Sequence, residues 1–391
     1  MTGVPDPYIS AVGLSPIGST DLTGRDLFTA ALTEAFEGLP PPADVVDAVY
    51  VGNQSELYEH QIMYGTIVAE WCGLRFTPAE RVEGCAAAGA LALRHAVRDV
   101  RTGTHDAVLA CGIEKMTAGG SELATESLSA AFDRPLEQRA GVTAPSQYAL
   151  LAQRYLHDTD ATEEDLAKVA VKNHENASRN PRAQFQSEID VETVLESDYV
   201  ARPLKLFDCA PVSDGAAAVL VTNEEVASTL GSSDEQVQVS GVGAASNNIS
   251  VAERDLTFIE GANVAANRAY DQADLSPEDI DVAEVHDAFT VCEPLLAEAV
   301  GFAPRGSGFE SALHPSERST GWTDVRLSTS GGLKARGHPI GATGLAQAVE
   351  VYEQLTETAT PERQVTDART GLLVNEGGVA DAVTVAHVLT T

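Results

Sequence analysis

Four short segments combine residue types that can do chemistry with backbone that can bring them close to a substrate. In Gly84-Cys85-Ala86-Ala87-Ala88-Gly89-Ala90 a cysteine stands where a glycine turn enters a helix of very small residues. The unpaired N–H groups and positive dipole end of a helix N-terminus favour a thiolate and can bring a thiol from about 8.5 to between roughly 3.5 and 7.5. Taken alone, such a cysteine reads more readily as a small buried hydrophobe. In Glu284-Val285-His286-Asp287-Ala288-Phe289 a histidine closes a strand. At the C-terminal end of a parallel strand it would face the crevice where such sheets bind ligands. No His-x-Asp metal pairing accompanies it, so a metal role is not expected. The third segment is Gly331-Gly332-Leu333-Lys334-Ala335-Arg336-Gly337-His338-Pro339-Ile340-Gly341-Ala342-Thr343-Gly344. So many small residues around one histidine, just before a helix, predict backbone bent tightly around a bound group. The phosphate-loop pattern is missing. Last, the glycines of Asn375-Glu376-Gly377-Gly378 at a strand exit could aim N–H groups at an oxyanion, or simply make a tight turn.

The elements that must hold these residues occur twice. Ile9-Ser10-Ala11-Val12-Gly13 reads as a short strand, and Val239-Ser240-Gly241-Val242-Gly243 echoes it. Further along, Ala31 matches Ala265, Ala35 matches Ala269, Phe36 matches Tyr270, and Val46-Asp47 match Ile280-Asp281. The shift in offset is an ordinary loop insertion. Leu93, Ala96, Val97 and Val100 recur at helical spacing over 86–101 and stop at Gly103, before the strand Ala107-Val108-Leu109-Ala110. In the second half a helix from about Ala342 to Leu355 leads to the strand Leu372-Leu373-Val374. Alternating strands and helices imply an α/β fold with a parallel sheet covered on both faces, in two similar halves, 1–230 and 231–391. A polar, helix-rich insertion over roughly 117–205 separates the repeated units. Thr162-Glu163-Glu164-Asp165 starts one of its helices with a cap and an acidic first turn, and Pro181 closes it after Asn180. An insertion placed there is suited to shaping a substrate tunnel.

Bulk properties narrow the function classes. Asp plus Glu number 58 against 25 Lys plus Arg, a net charge of -33 spread along all 391 residues without an acidic tail. This argues against a nucleic-acid footprint and fits a salt-adapted cytoplasm, where strong screening removes carboxylate repulsion. Cys72, Cys85, Cys111, Cys209 and Cys292 are scattered singly, which supports neither a zinc site nor a disulfide framework and fits a reducing cytosol. No apolar run is long enough to span a membrane.

Together, Cys85, Gly112-Ile113-Glu114-Lys115-Met116, His286-Asp287-Ala288-Phe289 and the Gly-His-Pro segment fall in the order of the thiolase superfamily, and the likeness covers nearly the whole chain. Lys172-Asn173-His174-Glu175-Asn176, Asn180-Pro181 and Pro203-Leu204-Lys205-Leu206-Phe207-Asp208-Cys209 running to Ser213-Asp214-Gly215-Ala216 resemble the sterol-carrier-protein-type and archaeal branch. The resemblance, together with the charge, points to a halophilic archaeon. It implies a five-layer α-β-α-β-α fold and coenzyme A thioesters as substrates, with no permanently bound cofactor and no metal. It makes Cys85 the acyl-accepting nucleophile and His338 the base that activates it, with His338 also helping to bind the thioester oxygen of the second substrate. His286 takes the place of an asparagine that holds an oxyanion-hole water, and the N–H groups of Cys85 and Gly377 form a second oxyanion hole. One piece departs from the pattern: the second cysteine that moves the α-proton in common thiolases falls at Asn375, and that of the sterol-carrier type at Ala288. Cys292, four residues farther on, is expected to turn away on a helix. The resulting Cys–His–His set is the one ketoacyl synthases use. The expected activity is acetyl-CoA C-acyltransferase; a thiolase-like lyase or decarboxylative synthase comes second, and a non-catalytic lipid-binding subunit last. The steroid side-chain aldolases use tyrosines, and none of the nine here falls inside a catalytic motif. By family analogy the chain forms a homodimer or tetramer. A small OB-fold, zinc-ribbon accessory protein and a hydroxymethylglutaryl-CoA synthase are the expected partners.

Overall fold

The glycine that ends each repeated strand makes the same contact in both halves. A Cβ on Gly13 would lie 2.0 Å from the carbonyl oxygen of Ala31, and one on Gly243 would lie 1.8 Å from that of Ala265. The matched residues of the sequence repeat are therefore matched in space, each as a helix backbone laid directly on a strand. The computed structural model describes residues 5–231 and 236–391; the expected division after residue 230 adjoins residues outside that set. Its strands are β1 (Tyr8–Leu14), β2 (Ala48–Gly52), β3 (Ala79–Val82), β4 (Ala107–Lys115), β5 (Tyr199–Ala201), β6 (Leu204–Lys205), β7 (Asp214–Thr222), β8 (Val237–Ser246), β9 (Val282–Glu284), β10 (Arg326–Leu327), β11 (Thr370–Gly377) and β12 (Val383–Thr390).

The first half is ordered β3-β2-β4-β7-β1 and the second β10-β9-β11-β12-β8, and β1 meets β8 to join them edge to edge. The sheet is mixed, not parallel as the strand–helix alternation suggests. Helical crossovers do make β2 parallel to β3 and β4, and β9 parallel to β10 and β11. But β7 starts opposite the residue where β4 ends, Asp214 against Lys115, and β12 follows β11 through the Gly378 turn. A chain that re-enters at the end it left can only run antiparallel.

Two helices lie between the halves. Ile340–Leu355 is buried at all sixteen positions, and Ala88–Arg101 packs across it through its small residues. A Cβ on Gly344 would stand 2.5 Å from the Ala90 nitrogen, so glycine there is what lets the two backbones approach. One hydrophobic cluster holds both helices with inward residues of both half-sheets, including Val108, Val219, Val282, Leu373 and Leu389. Separate clusters cover each half-sheet's outer face, one with Leu27 and Val68 and one with Ala265 and Leu295. The order is helices, sheet, helix pair, sheet, helices, which is the five-layer α-β-α-β-α arrangement. The insertion contains the helices Gly120–Ser129, Ala144–Asp158 and Glu163–Ser178. In the last, Thr162 and Asp165 cap each other reciprocally.

Candidate active site

Cys85 opens a tight turn, Cys85–Ala87, that runs into the helix Ala88–Arg101. Its backbone is left-handed, with φ +50°, a conformation costly for a residue with a Cβ and held here by the packing around it. The N–H groups of Gly378 and Ala86 reach the sulfur, as a helix-start site requires. Burial nevertheless outweighs them and pushes the thiol up to about 11. The expected lowering is therefore reversed: the helix end is present, but for this half-buried thiol on the cavity wall the cost of leaving water outweighs it. The N–H of Cys85 itself, expected in an oxyanion hole, donates to Glu83 Oε1 at 2.8 Å. Gly378, at φ +80°, brings its N–H to the sulfur. Gly377, the neighbour expected to supply a donor, is packed so closely that a Cβ would sit 2.0 Å from the Gly84 carbonyl oxygen.

The imidazoles of His286 and His338 stand edge to face with centroids 5.1 Å apart. Burial holds His286 down at about 3, and burial together with His286 holds His338 well below its ordinary value. Both rings are neutral at physiological pH. His338 is anchored through its N–H to Ser213 Oγ (2.9 Å) and through Nδ1 to Thr343 Oγ1 (2.7 Å). His286 Nδ1 meets Asn375 Nδ2 at 3.0 Å.

The glycine-rich segment before His338 closes on a side chain of the protein itself. It wraps Asp287, whose carboxylate accepts from the N–H of Leu333 (2.7 Å), from that of Lys334 (3.4 Å) and from Asn173 Nδ2 (2.7 Å). A Cβ on Gly332, where φ is +59°, would fall 2.1 Å from Asp287 Oδ2. The residue after one histidine thus shapes the loop that carries the other. Two more motif acids are also structural ties. Glu114 accepts from the N–H groups of Gln54 (2.7 Å) and Gly341 (2.9 Å), and Asp214 pairs with Lys115 Nζ at 2.6 Å.

Cys85, His286, His338 and Gly378 open on one apolar cavity of about 430 Å³. The insertion contributes Leu128, Phe132, Tyr148, Val200 and Leu206 to its wall. Cys292 is fully buried at the start of the helix Cys292–Ala299 and lies outside the lining. Sequence reasoning passed over two liners. Cys209 is held beside Ala288 by the Ala210 N–H to Ala288 O bond of 2.9 Å, and its thiol donates to Lys205 O at 3.3 Å. The Tyr148 ring stacks on Phe289 at 4.4 Å, and its hydroxyl accepts from the Ala380 N–H at 2.9 Å. Neither carries a spacing signal that points to the site: Tyr148 comes from the insertion and Cys209 from the segment just after it, and both reach the cavity through tertiary packing.

A cysteine and two neutral histidines gathered on one apolar cavity are the residue types of an acyl-transfer class of site. Residues 8–225 match the family described as "Thiolase, N-terminal domain", and residues 242–391 the "Thiolase C-terminal domain-like" family. The chain belongs to the thiolase family. It is 42% identical over 93% of its length, and 94% of the relative's, to an acetyl-CoA acetyltransferase of Methanothermobacter thermautotrophicus. In fold it resembles the Ltp2-ChsH2(DUF35) aldolase, with TM-score 0.81, 24% identity and coverage of 99% and 98%. Human mitochondrial 3-ketoacyl-CoA thiolase in complex with CoA follows with TM-score 0.77, 16% identity and coverage of 99% and 98%.

Proposed function

We propose that the chain is a thiolase-type acyltransferase that condenses two acyl-CoAs, or cleaves a 3-ketoacyl-CoA with coenzyme A, through an acyl-Cys85 intermediate. The observation that carries this is the gathering of Cys85 and the paired imidazoles of His286 and His338 on one apolar cavity. Thr343 Oγ1 gives its only hydrogen to Pro339 O (3.0 Å) and so accepts from His338 Nδ1–H. His338 Nε2 is left as a lone pair that can take the thiol proton as sulfur attacks the thioester. The proton then passes to the departing coenzyme A thiolate, which restores neutral His338. Backbone N–H groups of the Gly377–Gly378 turn, and that of Cys85 once Glu83 releases it, would hold the acyl oxygen. The two halves, 1–230 and 231–391, supply Cys85 and the histidines respectively.

Acetoacetyl-CoA loss, followed in molar KCl with and without coenzyme A, tests the reading. Coenzyme-A-dependent cleavage that vanishes in Cys85→Ala is the expected result, and no acyl mass on wild-type Cys85 would sink it. Tyr148 in the wall and the aldolase neighbour favour, as second reading, a lyase whose cleavage needs no coenzyme A. A DUF35 protein accompanies that neighbour by name, which supports an OB-fold, zinc-ribbon accessory protein for this chain, with a hydroxymethylglutaryl-CoA synthase as a further candidate partner. A homodimer or tetramer is supported by the open edge strand β3, beside which Phe76 is 98% exposed. No helix among the described residues is long and apolar enough to cross a membrane; a cytoplasmic, salt-rich setting is the reading the charge supports.

A further inference from the structure

The absent second cysteine leaves open which group removes the α-proton in carbon–carbon bond formation, and buried hydrogen bonds behind the cavity answer it. Gln347 Nε2 donates to Val285 O (2.9 Å) and Val374 O (3.4 Å). Carbonyls only accept, so the Gln347 amide cannot be turned round, and its Oε1 must face Asn375. Asn375 in turn presents nitrogen: Nδ2 lies 3.1 Å from Gln347 Oε1 and 3.0 Å from His286 Nδ1, one hydrogen for each. Gln347 and Asn375 are fully buried and His286 is 2% exposed, so water does not compete for these contacts. A neutral imidazole has one proton, and with Nδ1 accepting it sits on Nε2. Thr343 imposes the opposite tautomer on His338.

We propose that Gln347 and Asn375 are positioning residues that lock His286 as an Nε2–H donor, and that His338, not His286 or a cysteine, removes the α-proton. This rests on the thiolase reading above. His338 Nε2, free again after acylation, takes the proton from the α-carbon of the second acyl-CoA. The enolate oxygen receives the His286 Nε2–H hydrogen bond. The enolate carbon then bonds to the acyl carbon on Cys85, the C–S bond breaks, and the departing thiolate recovers the proton from His338. The products are a 3-ketoacyl-CoA and the resting Cys85 thiol, with every proton returned. Asn375 thus stands where common thiolases carry the base, and acts through the neighbouring imidazole instead.

The first test is long-range proton–nitrogen NMR of the wild-type protein with ¹⁵N-labelled histidine, the His286 signals being assigned by their loss in His286→Asn. Protonated Nε2 in His286 and protonated Nδ1 in His338 are expected. A proton on His286 Nδ1 overturns the proposal, and does so whether or not the enzyme condenses acetyl-CoA. The second test is Asn375→Asp, whose carboxylate would draw the proton to Nδ1. Condensation is expected to fall by about 10²–10³-fold, the cost of one oxyanion donor, while acetylation of Cys85 read by intact mass changes by less than about threefold. In His286→Asn, where an amide replaces the ring donor, the same Asn375→Asp change should cost little. An equal loss in both backgrounds would show a merely structural role. Cys209→Ala supplies the last arm: if it abolishes deuterium exchange at the acetyl-CoA α-carbon while sparing acylation, the base is that cysteine and the assignment to His338 is wrong.

Discussion

At the scale of single residues, the resting charge state of Cys85 decides how the proposed acyl transfer would begin. With the thiol up at about 11 and the imidazoles neutral, no thiolate–imidazolium pair waits for substrate. The proton must move as the thioester arrives. Free-thiol reactivity should then follow the small thiolate fraction, rising about tenfold per pH unit between pH 7 and 9 with no plateau in that range. Iodoacetamide labelling of Cys85, quantified by peptide mapping so that the neighbouring Cys209 is counted apart, measures this. A rate that is already flat at pH 7 would mean a preformed ion pair. Cys85, His286 and His338 could be picked out as candidates from residue type and small-residue company, and it was the family order of the motifs that joined them into one set. Their protonation was not legible, because burial depends on Phe132, Tyr148 and other walls brought from distant sequence. The same limit applies to the backbone donors: whether the Gly377 or the Gly378 N–H meets the sulfur turns on one φ angle inside a Gly-Gly pair.

Among the elements, β12 carries an isolated titratable group that can be measured cleanly. His387 is fully buried, neither ring nitrogen has a hydrogen-bond partner among the described residues, and burial holds it down at about 3. An imidazole depressed below its unfolded value of about 6.5 contributes stability that is present above that pH. Below it the unfolded chain takes up a proton that the folded chain refuses, so the contribution is lost as pH falls. Removing the ring as His387→Leu should therefore shift the stability difference from wild type in the variant's favour by about 1.4 kcal/mol per pH unit between 6.5 and 4.5. Denaturant unfolding of both proteins at pH 7, 6 and 5 checks it, and a difference constant with pH would refute it. The sequence repeat announced the element order, but the contacts of Gly13 and Gly243 with their helices appear only in the structure. It could not announce that β7 and β12 run antiparallel, since direction depends on where the insertion and the Gly378 turn deliver the chain. Nor could it show that the loop glycines serve Asp287, because carboxylate and loop lie 46 residues apart in the Leu333–Asp287 bond.

Across the whole molecule, several of the few cations are held in internal ties, while most of the carboxylates face solvent. Lys115 pairs with Asp214 at 2.6 Å, Arg254 with Asp381 at 2.7 Å, and Lys172 with Glu293 at 2.8 Å, each against a carboxylate side chain no more than 4% exposed. Arg363 is likewise covered between Glu350 and Glu353. These pairs lie mostly out of reach of mobile ions. The surface that carries the remainder of the -33 charge is not. Salt should therefore stabilise the fold by screening repulsion among surface carboxylates without dissolving the ties beneath. The Debye length falls from about 10 Å at 0.1 M to about 3 Å at 1 M, so most of the gain belongs to the first molar of added salt. The midpoint of thermal unfolding should rise steeply between 0.1 and 1 M KCl and flatten beyond it. Sodium and caesium chlorides should give the same curve, because screening depends on charge and concentration alone. A continued linear rise to 3 M, or a marked preference for potassium, would instead mean that bound cations or surface exclusion of salt carry the stability. A midpoint that does not move would mean that the acidic surface imposes no strain on the folded chain.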